Sequence, residues 1–350
     1  MVRDIKIGDR KIGDGWPVFI VAEIGVNHNG DPAIAEALIR SAADAGVDAV
    51  KFQTFKTSEL VAKDTLKDGY MKKETGEIES MYDMFKKLEL PQEAYISLKN
   101  LAESMGLIFF SSPFDEESVD ILFNLGVKVF KIASAEVTNL SLLRYIGEKG
   151  LPVILSTGMS TLDEVIMAVK ALEDRGCRDV ILLHATISHP AKKEDLNLRA
   201  IATLKNRFNY PVGYSDHTDD TFVPCLAVAT GAAVIEKHFT LSRSMNGPDH
   251  CHSMNPEEMG EMVRMIRETE RILGFANKTF VKAEEEVRML ARRSVVARRD
   301  ISKGEKIYPS MITLKRPGTG IHPYDIDKIS GKVAAVDIPA DEVIKWEMLD

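Results

Sequence analysis

VFIVAEIGVNHNGDPAIAEALIRSAADAGVDAVKFQTF, residues 18–55, is the stretch on which the fold turns. It opens on a β-branched apolar run (18–25) and passes through Asp31-Pro32, a helix start signal, into an amphipathic stretch over 33–45. It then returns to a second run, AVKFQTF (49–55). Strand, helix and strand in so short a span make the building unit of a parallel sheet. The same grammar recurs in LIFFSS (107–112), VFKIAS (129–134), PVILST (152–157), VILLHA (180–185), PVGYSD (211–216) and VIEKHF (234–239). Helical stretches such as 92–105, 162–175 and 257–273 accompany them. Eight such strands predict an α/β fold, a (β/α)8 TIM barrel rather than an open doubly wound sheet. No GxGxxG follows the first run, which removes the main support for dinucleotide binding. IKIGDRKIGDG (5–15) reads as a hairpin with a Gly-Asp turn that caps the barrel bottom.

Two segments break the repeat. Residues 56–90 replace a short connection after the second strand, and such an insertion is either a lid or a solvated excursion. After Leu273 the chain reads as a linker (276–290) and a small domain (291–350) of short strands and Gly/Pro turns, leaving 1–275 to the barrel and its hairpin. About 60 residues is near the lower limit for independent folding, so docking on a barrel or a second subunit is expected. The five arginines between Arg288 and Arg299 lack interleaved aromatics and read as a solvated or subunit-contact face.

Composition bounds the function. The 350 residues are 45% hydrophobic with a net charge of −8. That excludes disorder as the main state and disfavours nonspecific binding to nucleic acid or anionic membrane, so neither is expected as a partner. No apolar run approaches the ~20 residues of a membrane helix. The N-terminus carries charges where a secretory signal has an apolar core, and three widely spaced cysteines suit a reducing compartment. A cytoplasmic location is the expectation.

Barrel chemistry sits at the C-terminal strand ends. These carry Glu23; Lys51 and Gln53; Ser111 and Ser112; Lys131 and Ser134; Ser156 and Thr157; His184 and Thr186; Ser215, Asp216 and His217; Glu236, Lys237 and His238. Lys51 and Gln53 share one strand face and Lys131 stands comparably two strands on; if both lysines point inward, they make with the hydroxyls of Ser112, Ser134 and Ser156 a cup for a phosphate or carboxylate. His217 and His238 emerge from adjacent strands, about 4.8 Å apart, and can share one metal. With carboxylates at Asp216, Glu236 and Asp249 and no cysteine, the set suits Mn2+, Mg2+ or Co2+ better than a closed zinc site. His250 and His252, in PDHCHS (248–253), follow a Gly-Pro turn and are weaker metal candidates.

In these residues the chain resembles the N-acylneuraminate (sialic acid) synthase family, the nonulosonate synthases. The matching motifs are VAEIGVNHNGD (21–31), AVKFQTF (49–55), KKLEL (86–90), FFSSPFD (109–115), FKIASAE (130–136), STGMS (156–160), GYSDHT (213–218), IEKHFTL (235–241), GPDH (247–250) and KRPGTG (315–320). The resemblance implies a transferase that condenses phosphoenolpyruvate with an N-acyl amino sugar such as N-acetylmannosamine, releasing phosphate and a nine-carbon 2-keto sugar acid. It implies a divalent metal, Mn2+ foremost, and a homodimer whose C-terminal antifreeze-like (SAF) domain lies over the partner barrel. By motif position, Lys51, Lys131, Ser134, Ser156 and Ser215 fall where the family binds phosphoenolpyruvate, and His217 and His238 fall on the metal ligands. Glu23, Gln53, Glu236 and Asp249 match positions facing the sugar or reacting centre, Glu23 or Asp249 moving the proton. Arg316 matches the arginine that reaches the partner subunit's sugar acyl group.

One departure bears on the sugar. After the sixth strand the family typically reads Cys-Thr, two variable residues, then Tyr-Pro; here Ala185, Thr186, Ile187, Ser188, His189 and Pro190 stand there. Thr186 and His189 remain candidates for sugar contact, and a legionaminate, pseudaminate or coat-polysaccharide sugar synthase is the alternative. GPDH leans towards neuraminate and legionaminate enzymes. The rival readings are a lysine Schiff-base aldolase, which leaves the paired histidines unexplained, and an inert carbohydrate-binding barrel.

Overall fold

The structure, a computed structural model, describes residues 3–67, 71, 72, 75, 79–188 and 190–350. It divides into two compact units, Met1–Gly274 and Phe275–Asp350.

The first unit opens with a hairpin of β1 (Ile5–Ile7) and β2 (Arg10–Ile12), Ile5 opposite Ile12, turning at Gly8 and Asp9. Eight parallel strands follow: β3 (Phe19–Gly25), β4 (Ala49–Thr54), β5 (Ile108–Pro113), β6 (Phe130–Ile132), β7 (Val153–Ser156), β8 (Val180–Ala185), β9 (Val212–Asp216) and β10 (Val234–His238). Their ladder runs β5-β4-β3-β10-β9-β8-β7-β6, and the two end strands lie side by side, giving the barrel-like sheet expected from eight repeats. Helices between them start where the sequence supplies caps. Asp31 accepts from the Ala33 N–H, and Thr161 with Glu164 and Asn255 with Glu258 form reciprocal capping boxes.

Side-chain alternation divides each strand between two cores. Ile20, Val50, Leu155, Leu182, Tyr214 and Ile235 face outward against helix residues such as Leu38, Leu98, Leu172 and Met259. Phe19, Val21, Ala49, Phe110, Val129, Ile154, Ile181, Leu183 and Val234 face inward and pack with Ile5, Ile7 and Ile12 of the hairpin. The hairpin therefore seals the N-terminal end of the barrel with an apolar floor. It is tethered there by Asp48, which accepts from Arg10 at 2.5 Å, Arg267 at 2.9 Å and the Ile20 N–H at 2.9 Å. Gly213 marks a tight interior point, since a Cβ there would stand 2.5 Å from the Val234 carbonyl oxygen and 2.7 Å from Leu183 Cδ2.

Within the 56–90 insertion, residues 68–70, 73, 74 and 76–78 lie outside the described set. The remainder is not a wholly solvated excursion. Met84 and Leu88, from the helix Met81–Leu88, join Val26 and Phe55 in an apolar cluster against which Phe85 and Phe114 pack.

The second unit is built from short pieces. Its strands are few: β11 (Ser294–Ala297) pairs antiparallel with β12 (Ile312–Lys315), and isolated bridges such as Ile301–Ile338 and Lys306–Val333 tie the rest. Its core gathers Val295, Ile301, Ile307, Ile321, Ile338 and Ile344. The segment expected as a linker over 276–290 runs into a helix, Glu285–Ala291, and the Gly318 N–H donates to the Met289 carbonyl at 2.7 Å. No helix among the described residues is long and apolar enough to cross a membrane.

Candidate active site

Above the floor the interior changes from apolar to ionic within one turn of the pleat. Register sets β3 beside β4 with Glu23 opposite Lys51, β4 beside β5 with Gln53 opposite Ser112, and β9 beside β10 with Ser215 opposite Glu236. Period-two alternation carries Glu23, Lys51, Gln53, Ser112, Lys131, Ser156, Ser215, Glu236 and His238 to the inside, directly over Val21, Ala49, Phe110, Val129, Ile154 and Val234.

The two lysines converge. Lys51 Nζ lies 3.0 Å from Glu23 Oε2, 3.4 Å from Glu236 Oε2 and 3.4 Å from Ser112 Oγ. Lys131 Nζ lies 3.5 Å from Glu236 Oε1, which also accepts from Ser215 Oγ at 2.9 Å. Gln53 Nε2 donates to Glu23 Oε1 at 3.2 Å. The cup thus holds two cations and two carboxylates, where the sequence reading had placed cations and hydroxyls alone. Strand alternation predicts that Glu23 and Glu236 face inward, but not that they would meet both lysines.

Burial and neighbours set the protonation of these four groups. Burial pushes Glu23 up to about 7, with Lys51 opposing. Burial would also raise Glu236, but the Lys131 and Lys51 ammoniums outweigh it and hold that carboxyl down at about 2. Lys131 is pulled down to about 8 by burial, against the attraction of Glu236. Lys51 faces the same burial, yet Glu23 and Glu236 together raise it above the ordinary lysine value.

Beside the lysines stands a hydroxyl pair. Ser134 Oγ donates to Ser156 Oγ at 3.0 Å and accepts from the Gly158 N–H at 2.9 Å. Gly158 escaped the sequence reading. A Cβ there would come within 2.5 Å of Ile187 and 2.9 Å of Ser134 Oγ, so the STGMS turn needs glycine to bring its backbone to that serine. Within the motif its signal was the Gly itself.

His217, immediately after β9, and His238, at the end of β10, bring their rings to 5.5 Å between centroids, and Asp249 Oδ2 lies 4.0 Å from His238 Nδ1. Two imidazoles and a nearby carboxylate suit a divalent cation as donor chemistry, although no cluster of three or more His, Cys, Asp or Glu among the described residues makes a complete cage. Asp216 does not contribute. It faces away from the rings and accepts from Lys237 Nζ at 2.5 Å and Thr218 Oγ1 at 3.0 Å.

Other strand-end candidates also serve the scaffold. Ser111 pairs with Thr54 at 2.7 Å, Thr157 donates to the Leu183 carbonyl, and His184 bonds the Leu196 carbonyl at 2.7 Å. Thr186 donates to the Asp195 carbonyl at 3.3 Å within its own loop. His189 lies outside the described residues. Arg316 belongs to the second unit, preceding a cis bond to Pro317. His250 is buried and spends its ring nitrogens on Thr240 at 2.6 Å and Asn29 at 3.3 Å, as a stitch between the loops after β3 and β10. Asn27, donating to the Phe239 carbonyl at 2.9 Å and Ser253 Oγ at 2.8 Å, is a second stitch that the sequence reading did not single out.

Comparison with known proteins identifies the family. The NeuB family model matches residues 38–278 and the SAF domain model residues 292–350. The chain is 46% identical to an N,N'-diacetyllegionaminic acid synthase of Legionella pneumophila over 98% of each chain, and 35% identical to the human N-acetylneuraminate-9-phosphate synthase, covering 97% of this chain and 95% of that one. Among solved structures, an N-acetylneuraminic acid synthetase of Leptospira borgpetersenii superposes with a TM-score of 0.75 at 36% identity, covering 82% of this chain and 95% of that one. The chain belongs to the NeuB family of nonulosonate synthases, condensing enzymes of the transferase type, with a C-terminal SAF domain.

Proposed function

We propose that the protein condenses phosphoenolpyruvate and water with a six-carbon sugar bearing two N-acyl groups, giving a legionaminate-type nonulosonate and phosphate. The observation that carries the phosphoenolpyruvate half is the convergence of Lys51 and Lys131, from separate strands, on opposite oxygens of one carboxylate, at 3.4 and 3.5 Å. A pair so placed can bracket a substrate carboxylate and phosphate through the reaction, with Ser134, Ser156 and the Gly158 turn as neutral donors. Attack by C3 of phosphoenolpyruvate on the sugar aldehyde leaves positive charge at C2, and water adds there before phosphate departs. Glu23, held near 7, suits removal of that water's proton, and Asp249 stands beside His238 for the new hydroxyl. A divalent cation on His217 and His238, with Mn2+ the first choice, would supply polarisation of the aldehyde when bound.

The acceptor follows from a carbon and nitrogen count. A product named N,N'-diacetyllegionaminic acid carries two acetamido groups; the three pyruvyl carbons bring none, so both arrive on the six-carbon partner. The chain is 46% and 42% identical to two synthases of that product, against 34% for a pseudaminic acid synthase and 35% for the human neuraminate-phosphate enzyme. N-Acetylmannosamine is the competing acceptor.

The test is phosphate release from phosphoenolpyruvate with mono- and di-N-acetylated hexosamines in the presence of Mn2+, with products read by mass spectrometry. Turnover fastest with a di-N-acetylated sugar, lost with EDTA and in His217→Ala and His238→Ala, is the expected result. Preference for N-acetylmannosamine would overturn the acceptor. Borohydride trapping of pyruvate on Lys131, without phosphate release, would overturn the mechanism in favour of a Schiff-base aldolase.

A further inference from the structure

We infer that the buried Lys237–Asp216 ion pair is a positioning device that sets the spacing of the two histidines; this rests on the reading that His217 and His238 share a metal. Lys237 and Asp216 stand directly opposite one another in the β9–β10 ladder, each the chain neighbour of one of those histidines. Both are about 1% exposed. Alternation puts them on the outer face of the sheet with Tyr214 and Ile235, whereas His217 and His238 lie on the inner side. Neither member of the pair can touch a ligand in the barrel mouth, so any influence on the site passes through the backbone.

The bonding of the pair suits that task. The Lys237 ammonium has three donors, and three acceptors surround it: Asp216 Oδ2 at 2.5 Å, the Thr218 carbonyl, and Thr218 Oγ1 at 3.4 Å. Asp216 in turn accepts from the Thr218 N–H at 3.1 Å and Thr218 Oγ1 at 3.0 Å. His217 is the residue between Asp216 and Thr218, and the Ala191 N–H donates to its carbonyl at 2.8 Å. Its backbone is therefore fixed before, at and after the residue, and the element that fixes both flanks is the side chain preceding His238. A salt bridge this deep adds little stability over an apolar pair of equal volume, but it has direction, which an apolar pair lacks. The direction it imposes is the height of one histidine relative to the other.

The experiment compares wild type, the double variant Asp216→Leu/Lys237→Met, the milder Thr218→Val, and His217→Ala. Binding of Mn2+ alone is read by the electron paramagnetic resonance signal of the free ion. Metal-free phosphoenolpyruvate binding is read by calorimetry, and folding by circular dichroism and thermal melting. The expected result is a folded double variant whose phosphoenolpyruvate affinity stays within about threefold of wild type while its Mn2+ affinity falls about 10- to 100-fold, the loss typical when support behind a ligand is removed. Thr218→Val, which keeps both charges, should lose Mn2+ affinity several-fold, and this arm decides the matter if the double variant does not fold. Mn2+ affinity within about twofold of wild type in a folded variant, when His217→Ala has abolished binding, would overturn this inference alone. Wild-type binding that His217→Ala leaves unchanged would overturn the two-histidine reading, and this inference with it.

Discussion

Lys51, Lys131, Glu23 and Glu236 form a cluster that is neutral when all four are charged, so an incoming trianion upsets its balance. Glu23, near 7, and Lys131, near 8, are the groups able to respond. Negative charge arriving beside them favours their protonated forms, so phosphoenolpyruvate binding should take up protons at pH 7.5 and weaken as pH rises through 8. Calorimetric titration in buffers of different ionisation enthalpy measures this, and Glu23→Gln should reduce the uptake; identical apparent enthalpies in every buffer would contradict it. His28 gives a stability counterpart. It is buried against Phe52, and burial holds its pKa down to about 4, below the unfolded value near 6.5. Between those values only the unfolded chain binds the proton, so stability is lost as pH falls through that window, by roughly 3 kcal/mol in full. Melting curves from pH 7 to 4.5 should be steeper in pH for wild type than for His28→Gln. At this scale the sequence told which residues face inward, because alternation has a fixed period. It did not tell who neutralises whom: Asp216 looked like a ligand carboxylate, and only the ladder register reveals Lys237 opposite it.

Strands carry these residues to a common height, and the barrel interior leaves them little slack. Gly213 shows how little. Gly213→Ala would press a methyl group against the Val234 carbonyl and Leu183, one layer below Ser215 and Glu236. Overpacking of this kind typically costs about 1–3 kcal/mol. Expected is a lower melting temperature together with a raised KM for phosphoenolpyruvate, because the displaced strand is the one bearing Ser215; a variant as stable and as active as wild type would show that the interior can yield. The eight strands and the helix starts were legible because burial on both faces writes near-continuous apolar runs and caps use few residue types. The stitches after β3 and β10 were not: Asn27 and His250 act across more than two hundred residues of chain, and nothing local distinguishes them from ordinary loop residues.

The chain divides into two compact units, and the segment entering the second is poorly covered: Phe275 is 95% exposed, and Phe280 and Val281 are also exposed. Brief proteolysis with chymotrypsin should cut first at Phe275 or Phe280 and leave a barrel fragment that keeps its secondary structure; first cuts inside the barrel would contradict the division. A change of composition after Leu273 was legible, but the helix Glu285–Ala291 was not, since seven residues without a clear apolar stripe carry little periodic signal. The hairpin that plugs the barrel bottom has a kinetic consequence. A barrel filled below the lysines by Phe19, Val21, Phe110 and their neighbours, and floored by Ile5, Ile7 and Ile12, has one doorway, and whatever settles deepest must enter before its companion and cannot depart past it. If the lysine cup takes phosphoenolpyruvate, the steady state should show compulsory order, with phosphoenolpyruvate leading and excess sugar forming a dead-end complex that more phosphoenolpyruvate relieves. Initial-rate patterns over both concentrations read this directly, and random addition would mean that the doorway is wide enough for two.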